Sequence, residues 1–294
     1  MVHITFIIVT DNCNQGCIYC SSTEKKVMNE EALEKQIKES KGSIVLTGGE
    51  PTLRSDIVKI IKRLKKNGVN YIELQTNGTM LYYPGLVEKL INAGVDQFNV
   101  ALPSHIEEIC DKITKTHGLF DKRLEGIKNL LKFGANVRIT MILNTLNKDY
   151  LLDYVKFVNE KFHGVKILEI NFIKIMGRAR ENTWLVPKIT KIENDLKKCC
   201  EFCKKNKINL LVDGIPLCHM KNYEEYSIDA IKFVLKKFAF FEEKEKIYLC
   251  SKCSLNSLCK GFRKGYKEIH GIGEYQQSKI PIEYIKNKIL GKLL

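Results

Sequence analysis

The chain has 294 residues, 44% of them hydrophobic, with 48 Lys and Arg set against 34 Asp and Glu. That length supports one large α/β domain with a small appendage, and the lack of a long apolar run, a basic n-region or a small-residue cleavage site excludes a helical membrane span and a secretory signal, so a cytoplasmic protein is expected. The net charge of +14 favours an anionic partner such as a nucleic acid or an acidic peptide, but Lys-rich helix faces turned to solvent in a heat-adapted protein produce the same excess.

Along the chain, short β-branched runs alternate with amphipathic segments. The runs are ITFIIVT (4–10), SIVLT (43–47), YIELQT (71–76), QFNVAL (97–102), NVRITMIL (136–143) and KILEINFI (166–173). Between them EALEKQIKESK, DIVKIIKRLKKNG, LVEKLINAG, FDKRLEGIKNLLKFG and YLLDYVKFVNEKF carry apolar residues at three- and four-residue spacing, and three of these end near a Gly suited to the position after a helix. Six β/α repeats predict a parallel sheet, either doubly wound or a partial barrel. Functional groups in such sheets gather at the C-terminal ends of the strands, which places TDNC, TGGEP, TNG, PSH, NTLN and MGRA on one rim. After RENTWLVP (180–187) the pattern changes to a long Lys-rich helical segment, one short strand in INLLVDG, a further helix near 224–241 and a Cys-rich tail. The border is placed near residue 185, dividing the chain into 1–185 and 186–294.

Eleven cysteines in a cytosolic chain point to metal binding more than to disulfides, because that compartment keeps thiols reduced. In TDNCNQGCIYCSS, Cys13, Cys17 and Cys20 are spaced CxxxCxxC and supply three thiolates within eight residues. Structural zinc normally takes four ligands from paired knuckles, so this spacing leaves one metal corner open.

Together with Tyr19 before the last of these cysteines and GGEP (48–51) after the second strand, the pattern resembles the radical S-adenosylmethionine superfamily over about residues 4 to 180. The resemblance implies an α/β chain built as a partial (β/α)6 TIM-like barrel. It also implies that Cys13, Cys17 and Cys20 hold three irons of a four-iron four-sulfur cluster whose fourth, open iron binds the amino and carboxylate groups of S-adenosylmethionine. Electron transfer into the sulfonium then yields a 5′-deoxyadenosyl radical that takes hydrogen from a substrate, and chelation at the open iron supplies the required proximity.

Further cofactor-binding candidates follow from the same resemblance, each beside a plainer role. Gly48 and Gly49 allow close backbone approach and Glu50, before Pro51, offers an acceptor to the methionine ammonium; the alternative is a simple strand-to-helix turn. Ser104 matches a ribose-binding position and equally suits a helix N-cap. Asn77 is a ligand or a turn residue, and Gly177 packs on adenine or merely ends a strand. Arg138 reaches the methionine carboxylate if it faces into the barrel, and solvent if it faces out.

In the tail, Cys250, Cys253 and Cys259 are spaced CxxCxxxxxC, with Cys218 upstream. This resembles the twitch domain, a shortened SPASM-type extension, and implies a small cysteine-rich α+β domain in which these four cysteines ligate an auxiliary four-iron four-sulfur cluster; structural zinc is the alternative. Cys110 and the Cys199, Cys200, Cys203 group read as buried hydrophobes, and His105 and His219 as ordinary histidines with a site role as the alternative.

The implied function is a radical S-adenosylmethionine enzyme served by a flavodoxin- or ferredoxin-like reductant. A peptide or protein ranks first as substrate, with a small molecule in cofactor biosynthesis or a tRNA as the alternative. The first strand starts within a few residues of Met1, which leaves no N-terminal leader-peptide-binding domain and weakens the peptide reading. From another class, an iron–sulfur or zinc binding module without catalysis remains the rival.

Overall fold

The computed structural model describes residues 4–22, 29–236 and 243–293. Its frame is one sheet of seven parallel strands in sequential order: β1 (Ile4–Thr10), β2 (Gly42–Gly48), β3 (Val69–Thr76), β4 (Gln97–Ala101), β5 (Val137–Leu143), β6 (Ile167–Phe172) and β7 (Leu210–Asp213). Every crossover steps to the next strand in the same direction, so the right-handed rule puts the connecting helices on one face of the sheet. A doubly wound fold would reverse its strand order and cover both faces. The sheet ends at β1 and at β7 without closing, which makes the barrel partial.

Strand alternation sets the two faces. Ile72, Leu74, Phe98, Val100, Ile139 and Ile170 are fully buried beneath the helices. Their neighbours Glu73, Gln75, Asn99, Arg138, Thr140, Glu169 and Asn171 share the opposite, inner wall. Outside lie α1 (Glu30–Glu39), α2 (Ile57–Lys66), α3 (Pro84–Ala93), α4 (Glu107–Thr114), α5 (Phe120–Lys132), α6 (Leu151–Lys161), the short α7 (Arg178–Glu181) and α8 (Glu193–Lys205). In α2 the buried residues are Ile57, Ile60, Ile61 and Leu64, the stripe that a helix lying on a sheet requires. Among the described residues no helix is long and apolar enough to cross a membrane.

The seventh strand is the departure from the count of six. INLLVDG pairs with β6 from Leu168↔Leu210 to Asn171↔Asp213, so the sheet runs past residue 185. Its four residues carry too little alternation to show which sheet they join. Beyond it come α9 (Ile228–Val234), an antiparallel pair of β8 (Lys244–Glu245) with β9 (Phe262–Arg263), α10 (Tyr266–His270) and α11 (Ile282–Leu293). The helix expected near 224–241 is represented by α9; the stretch from 237 to 241 lies outside the described residues.

A buried charge network fastens β9 to the barrel. Arg263 is 1% exposed and donates to Asp213 Oδ2 at 2.6 Å, Asn171 Oδ1 at 2.7 Å, Glu243 Oε2 at 3.0 Å and the Phe172 carbonyl at 3.3 Å. Lys244 Nζ bridges Asp213 and Asp229 at 2.6 and 2.7 Å. Gly214 makes room for this: a Cβ there would lie 2.5 Å from Arg263 Nε.

Candidate active site

Three strand ends and one helix end meet around the first cysteine loop. From the β2 end, the Gly49 N–H donates to the Thr10 carbonyl and the Glu50 N–H to the Asn12 carbonyl, each at 2.7 Å. From the β3 end, Asn77 Nδ2 donates to Asn14 Oδ1 at 2.8 Å, while Asn14 Nδ2 donates to Thr79 Oγ1 at 3.0 Å. The C-terminal turn of α4 accepts from the Gly16 and Ile18 N–H groups at Thr114 O and Ile113 O. After β6, the Arg178 N–H donates to the Cys20 carbonyl at 3.0 Å, and Arg178 Nη1 to the Cys17 carbonyl at 3.3 Å. A loop of this length would otherwise be free to wander, and the anchors hold its three thiols on the rim.

The thiols are half-buried and free of disulfides. Burial pushes the Cys17 thiol up to about 12, with Cys20 and Cys13 adding to the effect, and burial likewise raises Cys13. A metal centre binding them as thiolates must displace protons. Asn77 Nδ2 lies 4.0 Å from Cys13 Sγ. Tyr19 is half-buried against the core with its phenol pushed well above the usual range, first by burial and then by the neighbouring Cys17.

Glu50 is fully buried. Its Oε1 accepts from the Thr52 N–H at 3.0 Å, Thr52 Oγ1 at 2.5 Å and Thr76 Oγ1 at 2.7 Å, and its Oε2 from the Asn77 N–H at 2.6 Å. Burial raises its carboxyl and these donors oppose the rise. Glu50 thus ties the β2 turn to the β3 turn, with Oε2 holding fewer donors than Oε1. Glu50→Ala is expected to strand the Asn77 N–H and the Thr76 hydroxyl and to lower stability by about 1–3 kcal/mol for each buried donor left unpaired, measured by urea unfolding of the apoprotein. Pro51 opens the 3-10 turn Pro51–Leu53.

The glycines of this turn are set by crowding. A Cβ on Gly49 would sit 2.2 Å from the Asn12 carbonyl oxygen, and one on Gly48, at φ 146°, 2.2 Å from that of Thr10. Gly49→Ala is expected to push the cysteine loop off the rim while the barrel stays folded, read as lost iron incorporation with an unchanged far-UV circular dichroism spectrum.

The remaining candidates separate. Ser104 is buried and its hydroxyl accepts from the Ile106 N–H at 3.0 Å, in the turn before α4. Gly177 takes φ 55° and ψ −134°, a conformation for glycine, and turns the chain so that Arg178 meets Cys20. Arg138 faces the inner wall but is the second residue of β5, at the end away from the rim, and its guanidinium lies 3.3 Å from Glu169 and 3.7 Å from Glu73. His105 packs between Tyr154 and Phe157. His219 is buried on Phe262 and paired with Glu193.

The tail carries the second set of thiols, which does not stand as a preformed metal-binding group among the described residues. Cys218, in the 3-10 turn Leu217–His219, is pushed up to about 12 by burial, then by Cys259, Cys253 and Cys250. The Gly261 N–H donates to Cys259 Sγ and the Ser278 N–H to Cys253 Sγ, both at 3.3 Å. Cys110, Cys199, Cys200 and Cys203 are fully buried in the apolar core. Asn14, Thr79, Arg178 and Asn182, which clamp the first loop, carry no local sequence signal; each acts across a long stretch of chain.

Residues 7–158, more than half of the chain, match the family model described as the Radical SAM superfamily. A probable GTP 3′,8-cyclase from Pyrococcus horikoshii is 32% identical over 183 residues, covering 59% of this chain and 58% of the relative. Another from Sulfurisphaera tokodaii is 31% identical over 205 residues, covering 65% and 63%. The chain thus spans less than two thirds of the curated relatives it matches. Among solved structures, anSMEcpe with bound AdoMet superposes with a TM-score of 0.63 at 17% identity, covering 98% of this chain and 95% of that one. Streptococcus suis SuiB bound to S-adenosylmethionine gives 0.61 at 13% identity, covering 95% and 76%. At those identities the likeness establishes the fold. The chain belongs to the radical SAM superfamily, whose enzymes use S-adenosylmethionine and a four-iron four-sulfur cluster.

Proposed function

We propose that the chain cleaves S-adenosylmethionine reductively at a cluster held by Cys13, Cys17 and Cys20, and directs the resulting radical to a small molecule of the nucleotide class in cofactor biosynthesis. The observation that carries the first part is the pinning of three free thiols, one open corner short of a full set, against the GGEP turn. That donor set fits a four-iron four-sulfur cluster, which takes one thiolate per iron. When bound, cluster and S-adenosylmethionine supply an electron and the 5′-deoxyadenosyl radical.

The protein's own part is placement. Gly48 and Gly49 let the GGEP turn pack directly against the start of the cysteine loop, and Glu50 Oε2 presents an acceptor for an ammonium. Asn77 and Ser104 lie at the neighbouring strand ends, Pro51 opens the turn after Glu50, Tyr19 packs the loop onto the core, and Gly177 shapes the β6 turn. Arg138, held by Glu73 and Glu169, serves the inner wall as a neutralised group, and a role on the methionine carboxylate has less support. The wall of Thr140, Asn99, Gln75 and Asn171 offers hydroxyls and amides to a polar substrate.

Cys218, Cys250, Cys253 and Cys259 are proposed to hold an auxiliary four-iron four-sulfur cluster in a twitch-like extension. Their CxxCxxxxxC spacing and the N–H donors on Cys253 and Cys259 support it. The barrel to about residue 185 would handle S-adenosylmethionine and the remainder this second cluster, with a flavodoxin- or ferredoxin-like protein as electron source.

For the substrate, the relatives at 31–32% identity favour a small molecule over the peptide that the sequence reading ranks first. Their name denotes closure of a bond between positions 3′ and 8 of GTP. The test is anaerobic incubation of the reconstituted chain with S-adenosylmethionine, a reductant and GTP deuterated at C3′. Deuterium in 5′-deoxyadenosine, matched by loss of GTP, is the expected result. If 5′-deoxyadenosine forms with GTP untouched, the substrate lies elsewhere, in a peptide or an RNA; if none forms, the reading of the whole site falls.

A further inference from the structure

We propose that Arg123, on α5, is the buried counter-charge of the cluster held by Cys13, Cys17 and Cys20, a positioning residue that sets how readily this cluster accepts an electron. The inference rests on the cluster assignment made above and extends it to a residue outside the motif. Among the described residues two arginines are fully buried, and their surroundings differ. Arg263 is met by Asp213 and Glu243. Arg123, 1% exposed, has no carboxylate partner among the described residues: its Nε donates to the Asn77 carbonyl at 2.9 Å, its Nη1 to Cys110 Sγ at 2.7 Å, and its Nη2 finds no partner.

A guanidinium keeps its proton in a protein, so this charge cannot be shed. An uncompensated buried cation costs several kcal/mol, and the fold bears that cost more easily if an anion arrives. Arg123 sits where one would. It grips the backbone of Asn77, whose side-chain amide is 4.0 Å from Cys13 Sγ, and it donates to Cys110 on α4, the helix whose last turn anchors Gly16 and Ile18 on either side of Cys17. Three thiolates on an iron–sulfur core form an anion in both oxidation states, more negative after reduction. A fixed cation in low dielectric favours the more negative state and so raises the reduction potential.

The experiment is a redox titration of the full-length, reconstituted chain by electron paramagnetic resonance, without S-adenosylmethionine so that its carboxylate plays no part. The relevant cluster is identified afterwards as the one whose signal changes when S-adenosylmethionine is added. Arg123→Met is expected to move that midpoint to more negative potential, with Arg123→Lys close to wild type. In thermal melts the apoprotein of Arg123→Met should match or exceed wild type, because an unpaired charge has gone, while its gain on cluster loading should be smaller. An unchanged midpoint in Arg123→Met overturns the proposal, as does an apoprotein destabilised by Met and not restored by Lys, which is the signature of a purely structural residue. Should Arg123→Met fail to take up iron, Arg123→Gln against Arg123→Lys reads the same midpoint difference. A wild-type chain that loads no cluster refutes the cluster assignment itself, whereas a loaded, S-adenosylmethionine-responsive cluster with a midpoint indifferent to residue 123 refutes only the present inference.

Discussion

A Cys17→Ala chain is expected to form no 5′-deoxyadenosine while keeping its fold. The loop is anchored by backbone groups on either side of Cys17, from Gly16 to Thr114 and from Ile18 to Ile113, so removing the thiol leaves these bonds in place. What it removes is one of the three thiols proposed to hold the cluster, a set with no fourth to spare. Iron should fall from about eight per chain to about four if the tail retains its own cluster. Cys203→Ala makes the control: that sulfur is fully buried in the core, so the change should cost stability and leave the iron count alone. If Cys17→Ala still cleaves S-adenosylmethionine, the assignment of the first loop is wrong. Because burial holds the Cys13 and Cys17 thiols in their neutral form, cluster assembly should also strengthen as pH rises, since each ligand must lose a proton.

The largest expected effect on stability is at Arg263. Replacing it with Met removes a guanidinium that serves Asp213, Glu243, Asn171 and the Phe172 carbonyl together. Breaking a buried pair from one side costs about 3–5 kcal/mol, and Lys244 beside Asp213 and Lys174 beside Glu243 put the expectation at the lower end, about 3 kcal/mol. Arg263→Lys should recover only part, because a single ammonium cannot reach all four acceptors. The network also predicts a pH profile. Burial tends to raise the Asp213 carboxyl, but Arg263 and Lys244 outweigh it and hold it well below the usual carboxylate range. The folded state therefore binds this proton less readily than the unfolded state. Its stabilisation is complete above about pH 4, near the unfolded value, and is lost as pH falls further. Urea midpoints from pH 7 to pH 3 should drop below about pH 4 in the wild type, and less steeply in Arg263→Met.

Much of the barrel is legible because it is local. Alternation along ITFIIVT and NVRITMIL marks strands whose observed ranges, Ile4–Thr10 and Val137–Leu143, differ from the runs by at most one residue. The i, i+3, i+4 stripe of α2 is equally local. The short strand in INLLVDG is legible as β7, but its place in the barrel sheet is not, because a parallel strand is defined by its partner and four residues specify no partner. Arg138 shows the limit for single residues. Alternation turns it inward, but its height in the barrel and its two carboxylate partners on β3 and β6 depend on register between strands.

The sequence by itself determined the chemistry: CxxxCxxC and GGEP depend on covalent spacing, so a reader of the chain sees three thiols and a tight turn without knowing the fold. Only the tertiary structure decided what surrounds them. Arg178 reaches the Cys17 carbonyl across 161 positions, Arg263 reaches Asn171 across 92, and Arg123 reaches Asn77 across 46. Pairings at such separations arise when strands order side by side and helices dock, with burial then selecting which polar groups need partners. The same step leaves Arg123 buried without a carboxylate among the described residues, a property that no window of sequence around it contains.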